Sequence, residues 1–478
     1  MDLGPVRRQS LLGFGSSVGI TVIGFFATVY IAHAAGPAAL GGYYLFLAYL
    51  GIAGLFTDAG LGGAAVQRIS GEEEREEYFS AHALFRILLL TAVLVALVAA
   101  RPLLVDLDNS GLFIWLLAGL VVTTLAGIIS TGVYAAGKAG VIQVSDLLNN
   151  IFRVILQIIA VYLGYAAGGL AFGFIAGTVT GILVNYRAFG IKPARFGARH
   201  VKSLLAFSGW VFLTALTGAL MGYADTILVG FYLSNTEVGM YRTAYQLATV
   251  ALFSMLALRT ALYPKIVQWI REGRKEQAEA ALSRAITYSL ALAIPAAAGA
   301  WVLGGQLLYY LYGDSFVAAG PALALLFAME IVTVFLSLET MCISALDMPR
   351  EVFVVTGIGA ACTIILDVLL IPRYGITGAA VALLCGTLLF AVIAHLVVKK
   401  SFNVGLERNP LGAILAASGI MAAVVLLYQY IIPVTSVYRI AGAVLTGMLV
   451  YVLLLVRLDQ GLHDEIRELV RDIGIPWP

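Results

Sequence analysis

The chain has 478 residues, of which 61% are hydrophobic and 12% charged, and its mean hydropathy is +0.96. Ordinary soluble proteins are about 25% charged, so this composition excludes a soluble enzyme, a disordered chain and a nucleic-acid binder. The 29 Lys+Arg and 27 Asp+Glu leave a net charge of +2, too little for a polyanion partner.

A membrane helix takes about 20 mostly apolar residues, and fourteen such runs follow one another along the chain. They are 9–34, 41–67, 80–100, 111–136, 145–163, 167–188, 204–231, 236–263, 280–304, 318–343, 351–371, 376–397, 411–432 and 437–456. Barrel strands would instead give short alternating segments. The expected fold is therefore an all-α polytopic membrane protein with about fourteen transmembrane helices. The first run follows Arg7 and Arg8 and contains Ala32-His33-Ala34, which imitates a signal-peptidase site. It is longer than the roughly 7–15 apolar residues of a signal peptide, so it is expected to remain as helix one. After span two comes the acidic run Glu72-Glu73-Glu74-Arg75-Glu76-Glu77, read as a solvated loop.

Span five carries Asp146, Asn149, Asn150, Arg153 and Gln157, a polar stripe about three turns long. Such a stripe cannot face lipid, and a wet cavity is its expected neighbour. Span six carries Gly169, Gly173, Gly177 and Gly181, a smooth face read as a device for close helix packing. Two stretches, 266–280 and 459–474, read as amphipathic helices lying on the membrane surface, the second with Leu462, Ile466, Leu469, Val470 and Ile473 on one face.

Basic residues orient the chain. With the N-terminus in the cytoplasm, 21 of the 29 Lys and Arg fall in cytoplasmic loops or tails. Only Arg101, Arg242, Arg373 and Arg439 fall outside. Both termini are then cytoplasmic and the chain is a multi-pass protein of the cell membrane.

A repeat links the halves. At a constant offset of 209, Tyr165, Gly169, Ala171, Gly177 and Thr178 fall on Tyr374, Gly378, Ala380, Gly386 and Thr387. An even number of spans separates the copies, which predicts two pseudo-symmetric six-helix lobes of the same orientation, with two further helices appended. The expected divisions are 1–203, 204–403 and 404–478. One chain of this kind builds a whole pathway, so a functional monomer is expected.

An ionised residue at the centre of a membrane helix costs roughly 2.5–3.5 kcal/mol on insertion scales. Arg86, Arg153, Arg259 and Arg284 lie inside spans, on the order of 10 Å from the cytoplasmic ends, a depth from which Arg can still snorkel. Arg153, on the polar stripe, is the best placed of them for function. The acids inside spans are Asp58, Asp225, Glu330, Glu339 and Asp367. Each could bind a proton or Na⁺, or pair with an Arg.

Cys342, Cys362 and Cys385 lie in apolar runs, and the five His are scattered without ligand spacing, so no disulfide or metal site is indicated. Gly132-Val133-Tyr134-Ala135-Ala136-Gly137-Lys138-Ala139 nearly spells a phosphate-binding loop. It lacks the Ser/Thr for Mg²⁺ and ends a membrane helix, so no ATPase activity is expected. With no catalytic constellation, transport is favoured over catalysis.

Several segments resemble one family. Leu55-Phe56-Thr57-Asp58-Ala59-Gly60-Leu61-Gly62 is similar to the acidic-Gly signature ending the second helix of polysaccharide flippases. Asp225-Thr226-Ile227-Leu228-Val229-Gly230 with Val238-Gly239-Met240-Tyr241 resembles their helix seven-to-eight segment. Tyr263-Pro264 is similar to the pair closing helix eight, and Ile371-Pro372-Arg373-Tyr374-Gly375-Ile376-Thr377-Gly378-Ala379-Ala380 to the entry into helix twelve. The chain is thus similar to the Wzx-type polysaccharide transporters of the multidrug/oligosaccharidyl-lipid/polysaccharide (MOP) exporter superfamily.

The resemblance implies two six-helix lobes around a central cavity. It also implies translocation of polyprenyl-(pyro)phosphate-linked oligosaccharide from the cytoplasmic to the outer leaflet. On that reading Arg86, Arg153, Arg259 and Arg284 attract the phosphate head, and Asp58 and Asp225 serve as charge partners or coupling acids. No cofactor is implied beyond Na⁺ or H⁺ coupling. The implied partners are the lipid-linked oligosaccharide, membrane lipids and polysaccharide-assembly proteins. A lipid II flippase and a cation-coupled multidrug exporter are the alternatives. Spans thirteen and fourteen count against the exporter, which usually stops at twelve helices.

Overall fold

The computed structural model describes residues 5–71 and 73–459, and every regular element among them is helical. They fall into two compact units, Met1–Arg242 and Thr243–Pro478. Twelve helices among the described residues are long and apolar enough to cross a membrane. The predicted surface helix at 459–474 lies, but for Asp459, outside the described residues.

The first unit contains α1 (Pro5–Asp58), α2 (Leu61–Ile69), α3 (Arg75–Ala99), the short α4 (Val105–Asn109), α5 (Phe113–Ala135), α6 (Ala139–Tyr162), α7 (Ala167–Ala188) and α8 (Ala198–Tyr232). The boundary between the units falls within α9 (Asn235–Ala248). The second contains α10 (Phe253–Arg271), α11 (Lys275–Tyr312), α12 (Gly320–Ala345), α13 (Pro349–Val398), α14 (Arg408–Ile431) and α15 (Val437–Leu458).

Two of the long helices are broken. In α1, Gly36 has φ 75° and ψ 176°; in α13, Gly375 has φ 60° and ψ −142°. A residue with a side chain rarely adopts these angles, and Pro37 follows the first break with its φ already set for a new helix. Both breaks fall between predicted spans, so α1 and α13 each supply two of them. The fourteen spans of the sequence are thereby accounted for.

Two expectations are corrected. Span two is not continuous to residue 67: α1 stops at Asp58, Ala59 and Gly60 take left-handed angles (φ 45° and 75°), and α2 begins at Leu61. Gly60 lies so close to the Ser208 carbonyl of α8 that a Cβ has no room there. Nor is 266–280 a separate surface helix. Its residues close α10 and open α11 around a turn at Gly273 (φ 72°).

The glycine face of α7 packs on α6 as expected. A Cβ on Gly173 would stand 2.6 Å from Gln157 Cγ, and one on Gly177 would stand 2.7 Å from the Asn149 carbonyl. Within the second unit the two halves of α13 meet the same way: Gly386 abuts Thr363 and the Gly359 carbonyl, and Gly378 abuts the Leu370 carbonyl. The glycines paired by the sequence repeat thus do the same local job in each unit. Lipid gives helices no hydrophobic reason to associate, so close backbone approach supplies the dispersion contacts instead.

The first unit's core joins Leu61, Ala64, Ala65 and Ile69 of α2 to Phe79 and Ala81 of α3, Ile128 and Ala135 of α5, and Leu204 of α8. In the second, Ala417, Met421 and Val425 of α14 and Ala443 and Tyr451 of α15 pack with Leu303 of α11. The Tyr451 hydroxyl donates to the Ala291 carbonyl at 2.6 Å, which ties α15 to α11.

Candidate functional site

The break between α1 and α2 builds the first polar cluster. The Asp58 carboxylate accepts the Gly62 N–H of α2's first turn at 3.4 Å, where an anion complements the exposed helix amides. Arg86 of α3 reaches Asp58 Oδ1 at 3.4 Å. The Arg86 side chain is 8% exposed and that of Asp58 31%. Gly127 of α5 makes the space, since a Cβ there would meet Arg86 Nη1 at 2.5 Å. One turn earlier on α3, His82 is fully buried, and neither ring nitrogen has a hydrogen-bond partner among the described residues. Of the predicted site residues, the structure brings Asp58 and Arg86 together.

The α6 stripe divides. Gln157 is buried and its amide donates to the Leu170 carbonyl of α7 at 2.9 Å, while its side chain also hydrogen-bonds the Tyr43 hydroxyl of α1. Asn149 and Arg153 present backbone and Cβ atoms to Gly177. Beyond Cβ, Arg153 is half-buried, and its Nη2 donates to Asn150 Oδ1 at 2.7 Å. It makes no ion pair among the described residues. Asp146 is exposed, and Asn150 is half-buried beside Arg153. The stripe therefore anchors α6 to α7 along one edge and presents Arg153 with Asn150 along the other.

Asp225 of α8 is buried, with each carboxylate oxygen engaged. Oδ1 accepts the Thr226 N–H at 2.6 Å and its hydroxyl at 3.1 Å, and the Tyr241 hydroxyl of α9 donates to Oδ2 at 2.8 Å.

In the second unit Arg259 of α10 is exposed and makes no ion pair among the described residues. Arg284 of α11 lies 3.4 Å from Glu407, its side chain 66% exposed. Glu330 and Glu339 of α12 and Asp367 of α13 are all buried. No cluster of three potential metal ligands occurs among the described residues. Sequence reasoning missed Tyr43, Gly127 and His82. Tyr43 hydrogen-bonds a predicted residue and Gly127 leaves room for another, and a glycine or tyrosine in an apolar run carries no signal of that.

Residues 9–269, more than half of the chain, match the family described as polysaccharide biosynthesis protein. The chain belongs to that family. This agrees with the resemblance of the sequence motifs to polysaccharide flippases. The chain is similar to two proteins of Haloferax volcanii. One is named probable low-salt glycan biosynthesis flippase Agl15 (24% identical, covering 94% of this chain and 95% of that one). The other is named probable flippase AglR (25% identical, 98% and 99%). Among solved structures, an inward closed lipid II flippase MurJ aligns with TM-score 0.78 at 18% identity, covering 95% of this chain and 99% of the other. An inward-facing MATE family multidrug transporter of the MOP superfamily aligns with TM-score 0.63 at 16% identity, covering 84% and 96%. These likenesses show the fold: an all-α, multi-pass membrane protein.

Proposed function

We propose that the protein is a flippase, not an enzyme. It moves a polyprenyl-(pyro)phosphate-linked oligosaccharide from the cytoplasmic to the outer leaflet of the cell membrane by alternating access. The observation that carries this reading is Arg153, a guanidinium on the polar edge of a membrane helix, held by a neutral asparagine and by no carboxylate among the described residues. A charge at the centre of a membrane helix costs roughly 2.5–3.5 kcal/mol, and phosphate oxygens, which take guanidinium in a bidentate fork, offset the part of that cost that Arg153 bears nearer the cytoplasmic end. Membership of the polysaccharide biosynthesis family and the name of one Haloferax relative, a glycan biosynthesis flippase, support the same substrate class, and the second relative is also named a flippase.

On this reading Arg153 draws the phosphate head, and the exposed Arg259 and Arg284, the latter paired with Glu407, add positive charge to the second unit. Asp146 and Asn150 offer the sugars hydrogen bonds, Asn149 packs against Gly177 and Gly181 of α7, and the prenyl tail stays in lipid. Arg86 is already committed to Asp58, so its share is to neutralise that carboxylate and hold the turn between α1 and α2. Asp58 and Asp225 serve as charge partners, Asp58 to Arg86 and Asp225 as acceptor of the Tyr241 hydroxyl. The protein works as a monomer with both termini in the cytoplasm and hands its cargo to polysaccharide-assembly proteins. Lipid II is the alternative cargo, because its flippase shares this fold over 95% of the chain.

Proteoliposomes loaded in turn with a polyprenyl-pyrophosphate oligosaccharide, lipid II and a cationic drug separate the readings. Faster transfer of the oligosaccharide lipid than of lipid II, with no drug uptake, supports the proposal. Transfer of lipid II alone moves the assignment to the alternative. Transfer undiminished by neutralising Arg86 and Arg153 together removes the phosphate-loading role from Arg153.

A further inference from the structure

A second titratable pair lies within the second unit, apart from every residue assigned a role in the proposed function. Glu339, near the end of α12, is 1% exposed, and its Oε1 lies 2.7 Å from Nδ1 of His395 in the second half of α13. Its Oε2 is buried with no hydrogen-bond partner among the described residues. The His395 side chain is 46% exposed and stands one turn before Lys399 and Lys400, both exposed at the helix end. One partner is therefore sealed in the helix packing, and the other opens towards the basic end of the bundle.

An ionised carboxylate with a single neutral donor is poorly compensated in an apolar surrounding. Adding a proton to Nε2 of His395 turns the imidazole into a cation whose Nδ1–H still donates to Oε1, and the pair becomes neutral overall. Losing that proton returns a net negative charge to the packed interface. The chemistry selects the ion. A hard metal cation such as Na⁺ would want several oxygen ligands, and here one carboxylate oxygen faces one ring nitrogen.

The other charged groups leave this balance to the pair. On α12, Cys342 lies within electrostatic reach of Glu339, and Glu330 stands nine residues away. On α13, Asp367 is buried in the first half of the helix. α11 packs on α12 with Glu279 engaged by Lys275 and the Asn403 N–H, Arg284 engaged by Glu407, and Tyr288 mid-helix. α10 brings Arg259, Tyr263 and Lys265, all exposed, and Asp314 sits at the opposite end of α12.

We propose that Glu339 and His395 form a one-proton binding site that exchanges through the exposed imidazole and couples translocation to a proton gradient. The coupling half of this proposal rests on the flippase reading; the proton site itself does not.

The test is a histidine titration of the full chain in nanodiscs, with ¹⁵N-labelled histidine and His→Gln variants to assign His395. Glu339→Gln should weaken proton binding at His395 at least about tenfold, a full unit of midpoint. A change of less than about twofold overturns the site. Should Glu339→Gln fail to fold, the carboxyl stretch read by infrared in wild type and His395→Gln replaces it. An ionised Glu339 in wild type that becomes protonated in His395→Gln supports the site, and an unchanged band overturns it. In proteoliposomes, a proton gradient should speed lipid transfer by wild type and not by His395→Gln. Transfer indifferent to the gradient in wild type overturns the coupling and leaves the flippase reading intact, whereas absence of any transfer counts against that reading alone.

Discussion

The Arg86 side chain is buried and Asp58 is its one ion-pair partner among the described residues, so the two residues stand or fall together. Asp58→Asn leaves a cation buried without its counter-charge. Because Asp58 is a third exposed, the expected cost is on the order of 2 kcal/mol, below the roughly 3–5 of a fully buried pair. Thermal unfolding in detergent should show that loss, and Arg86→Gln added to Asp58→Asn should recover part of it. A double variant no more stable than the worse single would contradict the pairing. Gln157 is tested the same way: Gln157→Leu removes a buried donor from the Leu170 carbonyl and is expected to cost about 1–3 kcal/mol. The sequence marked Asp58, Arg86 and Arg153 as costly charges, because an ionised group in an apolar run is visible by itself. Which of them is paired was not legible. The pairing of Arg86 depends on the turn at Ala59–Gly60 and the space at Gly127, and both are set by helices remote in the chain.

Helix hairpins in both units are built on glycine faces. Gly177→Ala places a Cβ 2.7 Å from a carbonyl, and Gly386→Ala drives one into Thr363. Each should lose about 1–3 kcal/mol, the usual cost of overpacking a tight interface. Gly419→Ala on α14, where nothing lies within 4 Å of the added carbon, should change stability little. Detergent unfolding midpoints of the three variants check this directly, and equal behaviour of all three would contradict the packing. This level of structure was the most legible. Apolar run lengths located the helices, and the glycine spacing announced a close contact before any partner was known. Span two misled because an apolar run stays apolar through a turn; only the left-handed angles at Ala59 and Gly60 reveal the stop. The 266–280 stretch misled in the reverse sense, since the ends of two adjoining helices imitate one amphipathic helix when read in sequence. The repeat was legible at its glycines and not at what they pack against: Gly177 meets Asn149 and Arg153, whereas its counterpart Gly386 meets Gly359 and Thr363.

For the whole molecule, the distribution of Lys and Arg predicts its orientation. Single cysteines placed at Arg195 and Lys400, after replacement of Cys342, Cys362 and Cys385, should react with an impermeant thiol reagent only from the cytoplasmic side. Cysteines at Arg101 and Arg439 should react only from outside. Labelling with the opposite sidedness would invert the topology and with it the loading side of the substrate. The central claim is that a phosphate-bearing lipid is drawn in through Arg153 and delivered to the other leaflet. Its most direct measurement is leaflet-resolved: the accessibility of a polyprenyl-pyrophosphate oligosaccharide to an impermeant probe in proteoliposomes, wild type against Arg153→Ala. The account predicts rapid exposure by wild type and at least a tenfold loss in the variant, with stability in detergent unchanged to within about 1 kcal/mol. Equal rates for the two proteins, or no exposure by wild type under any Na⁺ or proton gradient, would contradict it.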